Sequence, residues 1–218
     1  MSAFQFSILP LLDKFDTELL KNYKDIGVNE IHYDVIDNDF YKGRGYNGEW
    51  IDEINEIGLK INVHIMAQNV GDIFKKIAKK KVASISFQVE PFSTVQVLTN
   101  LKKISQIASS VGIAVEFETP IEKLEKIIFE KINFITFMSV KPGRGGQKFD
   151  ELSINNLQKI KKIIFERKKN IFIHLDGGVN KLVVEKTKTL VDSYVSGNYF
   201  FKLTQTEKKD FLHLIERA

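Results

Sequence analysis

The sequence predicts an α/β fold of eight strand–helix units, a single (β/α)8 barrel over residues 1–218. Three observations carry that expectation. Short apolar, β-prone runs alternate along the chain with longer segments of helical apolar spacing. Eight such pairs can be marked, and 218 residues shared among eight leave about 27 per unit, enough for a compact βα repeat. No Pro-, Ser- or Gly-rich linker divides the chain. The competing architecture, an open doubly wound sheet, usually has fewer strands and carries a glycine fingerprint after the first one. Here the first strand runs instead into Pro10-Leu11-Leu12.

The elements follow in order. Phe4–Leu9 is the first strand, and a helix through Leu19, Leu20, Tyr23 and Ile26 ends at Gly27. Glu30–Val35 is the second, with a helix through Trp50, Ile54 and Ile57 stopped by Gly58. Lys60–His64 is followed by a helix through Ile73, Phe74, Ile77 and Ala78, and Val82–Phe87 by one through Val97, Leu101, Ile104 and Ala108. Gly112 precedes the fifth strand, Ile113–Phe117, and Pro120 opens a helix through Leu124, Ile127 and Ile128. Proline suits a first helical turn because its φ is fixed and its missing N–H is not needed there. Phe134–Val140 leads through a glycine-rich loop to a helix over 151–167. Asn170–Leu175 leads to a helix from Lys181, and Ser193–Ser196 to a last one through Phe211, Leu212 and Leu214.

Composition narrows the class. Hydrophobic residues make up 43% and charged ones 28%, the balance of a folded soluble protein. The absence of Cys excludes a disulfide scaffold, a thiolate zinc site and a Cys nucleophile. No apolar stretch reaches the roughly 18 residues a membrane helix needs, and Met1-Ser2-Ala3-Phe4 lacks the basic start of a signal peptide, so a cytoplasmic protein with no membrane partner is expected. The net charge of +4 comes from 32 basic residues offset by 28 acidic ones, a balance that does not call for a nucleic-acid partner.

A barrel keeps its chemistry at the C-terminal ends of its strands. The second strand ends His32-Tyr33-Asp34-Val35-Ile36-Asp37, and alternation puts His32 and Asp34 on one face. The third ends in His64 and the seventh in Asp176-Gly177-Gly178. If His32, Asp34, His64 and Asp176 all face the mouth, two imidazoles and two carboxylates converge. That is a divalent-metal site open to Zn²⁺, Fe²⁺, Mn²⁺ or Co²⁺. One His at a strand end is more often a hydrogen-bonded structural residue; two His and two Asp at three strand ends are harder to dismiss. Asp37 is either a further ligand or a turn-forming Asp. His174 is set aside as pointing away from the group, and His213 lies in the last helix.

Glycine forms the second constellation. The sixth strand opens into Lys141-Pro142-Gly143-Arg144-Gly145-Gly146-Gln147, the seventh yields Gly177 and Gly178, and the eighth Gly197 and Asn198. One pair would be a tight turn. Three such loops at one barrel end favour backbone N–H groups around a phosphate, which barrels often hold on the loops after strands 7 and 8. Ser7 faces the mouth, and Met66 and Met138 are either core filler or an apolar lid.

With these residues in place, the chain resembles the ribulose-phosphate 3-epimerase family over nearly its whole length. The matching pieces are Ser7-Ile8-Leu9, His32 to Asp37, Val63-His64-Ile65-Met66, Pro142 to Phe149, Asp176-Gly177-Gly178-Val179-Asn180 and Gly197-Asn198. The resemblance implies a barrel of the ribulose-phosphate-binding type and interconversion of D-ribulose 5-phosphate with D-xylulose 5-phosphate, a pentose phosphate pathway step. It implies one divalent metal ion on His32, Asp34, His64 and Asp176, with Asp34 and Asp176 as the two acid/base catalysts. It implies that Ser7, His64, Gly143, Gly145 and Gly146 meet the substrate, that Met66 and Met138 cap the reacting carbons, and that Gly177, Gly178, Gly197 and Asn198 hold its phosphate. It also implies a homo-oligomer.

The sequence departs from the family pattern at Ile36-Asp37-Asn38, at Phe40-Tyr41-Lys42-Gly43, at Asn62 (for Asp), at Gln88 (for His, with Glu90 kept) and at Lys141 and Arg144. None of these removes a ligand or a proposed catalytic Asp, and two added cations suit an anionic substrate. Three alternatives stand beside the epimerase: a 3-epimerase of another ketose phosphate such as allulose 6-phosphate, a phosphate-binding decarboxylase, and a non-catalytic phosphate-binding barrel. The decarboxylase needs an Asp-x-Lys-x-x-Asp motif, and Asp34-Val35-Ile36-Asp37 contains no Lys.

Overall fold

The computed structural model describes residues 2–37, 41–128 and 132–218. Eight parallel strands close into a barrel in chain order. They are β1 (Ala3–Ser7), β2 (Glu30–Ile36), β3 (Lys60–Met66), β4 (Ser84–Gln88), β5 (Ser110–Glu116), β6 (Phe134–Met138), β7 (Phe172–Asp176) and β8 (Ser193–Ser196). The connecting helices are α1 (Thr17–Asp25), α2 (Ile51–Ile57), α3 (Gly71–Ile77), α4 (Thr94–Ile104), α5 (Ile121–Ile128), α6 (Ser153–Glu166), α7 (Lys181–Thr187), α8 (Asn198–Lys202) and α9 (Gln205–Glu216). The expected (β/α)8 order is therefore observed.

The differences are local. Leu9 belongs to a 3-10 turn, Leu9–Leu11, because Pro10 supplies no N–H to a strand ladder. Gly112 lies within β5, where a Cβ would meet the Phe134 carbonyl oxygen at 2.5 Å, so the close strand pairing needs glycine there. The helix after β4 stops at Ile104, before Ala108. A short helix not expected from the pattern, α8, follows β8 directly.

Both faces of most strands are buried, but they differ in kind. Side chains such as Phe6, Tyr33, Ile65, Phe87 and Leu175 pack outward under the helices. The alternate side chains point inward, as cross-barrel contacts show: Gln5 on β1 reaches His174 on β7, and Ser86 on β4 reaches Thr136 on β6. Barrel interiors are ordinarily filled with branched apolar residues. This one is largely polar, and many of its members hydrogen-bond one another, as Ser84 Oγ does to Asn62 Oδ1 at 2.6 Å.

The core anchors the end of the barrel that matters. Phe200 of α8 is fully buried among Phe4, Phe6, Tyr23 and Phe211, with ring centroids 4.7–6.2 Å away. It thereby fixes the start of α8, where Gly197 and Asn198 stand. Helix starts are capped by sequence-local groups: Asn180 accepts from the Val183 N–H, and Ser93 and Thr204 form capping boxes with Gln96 and Glu207.

Candidate metal and active site

Strand alternation and register bring four side chains to one point. His32 and Asp34 are two residues apart on β2, Asp34 pairs in register with His64 on β3, and Asp176 ends β7. One ligand atom from each of the four lies within 4.8 Å of every other. His32 Nε2 is 3.2 Å from Asp34 Oδ1 and 3.4 Å from Asp176 Oδ2, and His64 Nδ1 is 3.3 and 3.7 Å from the same oxygens. The two ring nitrogens are 3.3 Å apart. Two imidazole nitrogens and two carboxylate oxygens, with no room for side chains between them, are a donor set that fits a divalent cation. Asp37 is not part of this group; its N–H bonds to the Met66 carbonyl.

The surroundings orient each donor. Ser7 Oγ donates to Asp34 Oδ2 at 3.1 Å, which leaves Oδ1 toward the centre. The outer nitrogens of the imidazoles meet amides, His32 Nδ1 at Gln5 Oε1 (3.2 Å) and His64 Nε2 at Gln88 Oε1 (3.4 Å). The sequence reading overlooked Gln5. Its signal was its position two residues before Ser7, hence on the same inward face. The expectation for His174 is also corrected: it is two residues from Asp176, faces the interior, and stacks on Phe134 at 4.5 Å, one layer below the group.

Charge follows from geometry. Burial opposes an imidazolium at His32, but the facing Asp34 and Asp176 carboxylates outweigh it and push its pKa up to about 10. His64 is pushed up in the same way. Burial would raise Asp34 and Asp176, yet the adjacent imidazoles hold both below the usual carboxylate range. His174, buried and facing the positive His32, is pushed down to about 3. Without a cation, the two carboxylates thus favour protonated imidazoles.

Above the group opens a cavity of about 630 Å³. Its walls include Ser7, Asp34, Met66, Met138 and Asp176, together with Gly143, Gly145, Gly146, Gly177, Gly178, Gly197 and Asn198. His32 and His64 are buried beneath it. His64 is not among the residues that line the cavity. Arg144, Lys148 and Lys202 add positive charge to the rim. Lys141, expected to do the same, turns away: it pairs with Glu118 and with Glu116 (3.4 Å) and lies over the Phe117 ring. Asn38 and Phe40, two of the departures from the family pattern, lie outside the described residues.

The glycines are sterically required. Gly177 has φ +114° and a Cβ there would meet Val140 Cγ2 at 2.6 Å; Gly178 has φ +62° and a Cβ there would meet the Phe149 nitrogen at 2.1 Å. Ser139 holds this turn by donating to the carbonyls of Asp176 (3.1 Å) and Gly177 (2.6 Å). Opposite, Asn198 Nδ2 lies 3.0 Å from where a Cβ on Gly145 or Gly146 would stand, so the loop after β6 lies close across the start of α8.

A family model described as the ribulose-phosphate 3 epimerase family matches residues 3–201. The chain belongs to the ribulose-phosphate 3-epimerase family. Two relatives agree across their full length. A ribulose-phosphate 3-epimerase of Mycoplasma genitalium is 37% identical over 211 residues, 96% of this chain and 97% of that protein. Another, of Mycoplasma pneumoniae, is 35% identical over 208 residues, 95% of this chain and 93% of its own. Solved structures show the fold alone. The protein titled KGPDC from Streptococcus mutans superimposes with a TM-score of 0.71 at 11% identity, covering all of this chain and 98% of its own. Phosphoribosyl anthranilate isomerase from Thermus thermophilus does so at 0.68 and 11%, covering 99% and 98%. Membership in an epimerase family makes the protein an isomerase, and the buried group accords with that family's dependence on a metal. No described helix is long and apolar enough to cross a membrane.

Proposed function

We propose that the protein is a ribulose-phosphate 3-epimerase that interconverts D-ribulose 5-phosphate and D-xylulose 5-phosphate, acting as one (β/α)8 domain over residues 1–218. The observation that carries this reading is the pairing of Asp34 and Asp176 oxygens across two buried imidazoles at the floor of a glycine-walled cavity. Epimerisation at C3 removes a proton α to the C2 carbonyl and returns one to the other face. Asp34 and Asp176, from strands on different sides of the barrel, serve as the two acid/base groups, each protonated when the other is ionised. His32, Asp34, His64 and Asp176 would hold a divalent cation, with Zn²⁺, Fe²⁺, Mn²⁺ and Co²⁺ all compatible with the donors, and it would supply Lewis-acid stabilisation of developing negative charge. Met66 and Met138 cover the reacting carbons and keep water from the intermediate. Ser7 holds Asp34 in orientation. The substrate's phosphate lies at the N–H groups around Gly177, Gly178, Gly197 and Asn198, under Gly143, Gly145 and Gly146, a placement many barrels use. The protein works in the cytoplasm as a homo-oligomer, without a nucleic-acid partner.

The test is turnover of D-ribulose 5-phosphate by chelator-treated protein resupplied with each metal. Metal-dependent formation of xylulose 5-phosphate is expected. Faster turnover of allulose 6-phosphate would overturn the substrate assignment, and no turnover of either with any metal would overturn the enzymatic one.

A further inference from the structure

We propose that Gln5 and Gln88 are positioning residues that set opposite tautomers in the two ligand histidines, so that His32 offers Nε2 and His64 offers Nδ1 to the cation. The proposal rests on the reading of His32, Asp34, His64 and Asp176 as a metal site. A neutral imidazole carries one proton, and the nitrogen that bears it cannot bind metal. Which nitrogen is bare is decided by the partner of the other. Here the two rings turn different nitrogens to the same centre, His32 Nε2 and His64 Nδ1, 3.3 Å apart. A single tautomer for both would therefore aim an N–H at the centre from one of them.

The orientation of the Gln5 amide is fixed from behind. Its nitrogen can only donate: it donates to Ser193 Oγ at 3.1 Å and stands 3.2 Å from His174 Nδ1, which accepts when the His174 proton is on Nε2. Both amide hydrogens are thus used, and the oxygen is left for His32 Nδ1, 3.2 Å away. The oxygen accepts, so once His32 is neutral and metal-bound its one proton stays on Nδ1 and Nε2 is the bare nitrogen. Stacking of His174 on Phe134 holds the far end of this chain in place. The layer below the site thereby determines the electronic state of a ligand above it.

Gln88 does the same for His64 with less support. Its oxygen stands 3.4 Å from His64 Nε2 while its own buried Nε2 finds no hydrogen-bond partner among the described residues. Rotating the amide by half a turn would put an N–H against His64 Nε2 and force the proton onto Nδ1, closing the site. Gln88 is therefore the weaker of the two locks, and replacing its amide nitrogen by oxygen removes both the orphaned donor and the wrong orientation.

Zn²⁺ dissociation constants from chelator competition, with long-range ¹H–¹⁵N spectra of histidine in the zinc-loaded protein, test this. The spectra should show the proton on Nδ1 of His32 and on Nε2 of His64; the reverse at either ring overturns the proposal without any variant. Gln5→Leu and Gln88→Leu should each weaken Zn²⁺ binding by about 10–100-fold, the usual effect of losing an outer partner of a metal-bound His. Gln88→Glu keeps the acceptor and should bind at least as tightly as the unaltered protein. Gln88→Leu within twofold of the unaltered protein, or Gln88→Glu as weak as Gln88→Leu, overturns the proposal. If the unaltered protein and His64→Ala both fail to bind Zn²⁺, Fe²⁺, Mn²⁺ or Co²⁺, the metal reading itself falls and the proposal with it.

Discussion

Replacing Gly178 by alanine should cost both stability and activity. Its φ of +62° is strained for alanine, at about 1–2 kcal/mol. The larger effect is a collision. A Cβ would stand 2.1 Å from the Phe149 nitrogen and 2.7 Å from its Cα, both backbone atoms. Ordinary contact begins near 3.4 Å, so one of the two backbones must retreat by about 1.3 Å. Lys148, Phe149 and Gly178 all line the cavity, so this shift widens the place where the phosphate is proposed to sit. Displacement of a bound group by about 1 Å can cost on the order of 10²-fold in rate. Gly48→Ala is the control: φ there is +98°, yet nothing lies within 4 Å of the new Cβ. In urea titrations Gly178→Ala should lose about 1–3 kcal/mol more than Gly48→Ala, the usual range for overpacking. Only Gly178→Ala should lose about 10²-fold in kcat/KM for D-ribulose 5-phosphate. If the two variants turn over alike, the close approach of the loops after β6 and β7 does not shape the site and the reasoning is wrong.

Other outcomes follow from the same geometry. Asp34→Asn and Asp176→Asn should each lower kcat by about 10²–10⁴-fold, the usual range for a lost acid or base; unchanged turnover in both would remove the two-carboxylate mechanism. Metal binding must displace protons from His32 and His64, so Zn²⁺ affinity should climb as pH rises from 6 to 9 and proton release should be measurable in weakly buffered titrations. A flat affinity would show the imidazoles to be neutral already. In chelator-treated protein the raised His32 contributes stability that is complete below its unfolded value of 6.5 and is lost as pH rises through about 10. Lowered Asp34 contributes above its unfolded 3.8 and is lost as pH falls. The melting temperature of the metal-free protein should accordingly fall on going from pH 6.5 to 10, and a rise would contradict the assignment. Phe200→Ala should cost about 3–5 kcal/mol, because a fully buried ring is lost from the support of α8, and chemical denaturation measures it.

Much of the fold was legible because a repeated βα unit writes its period into the chain. The polar residues at strand ends were legible for the same reason: alternation links His32 to Asp34 without any three-dimensional knowledge. The same rule, misapplied, turned His174 away from Asp176, although two residues along a strand share a face. Gln5 went unnoticed because a lone glutamine in an apolar strand carries no chemical signature until its neighbours across the barrel are known.

The sequence by itself determined the eight-unit order, the inward parity of the site residues and the glycines at three loops, since each depends on local periodicity or on backbone freedom. Only the tertiary structure decided which nitrogen each histidine presents, that Lys141 serves Glu116 and Glu118 rather than the cavity, and that His64 lies beneath the wall. Those outcomes depend on contacts such as Gln5 with His174, 169 residues apart in the chain. Closing the barrel sets such distances, and no local pattern encodes them.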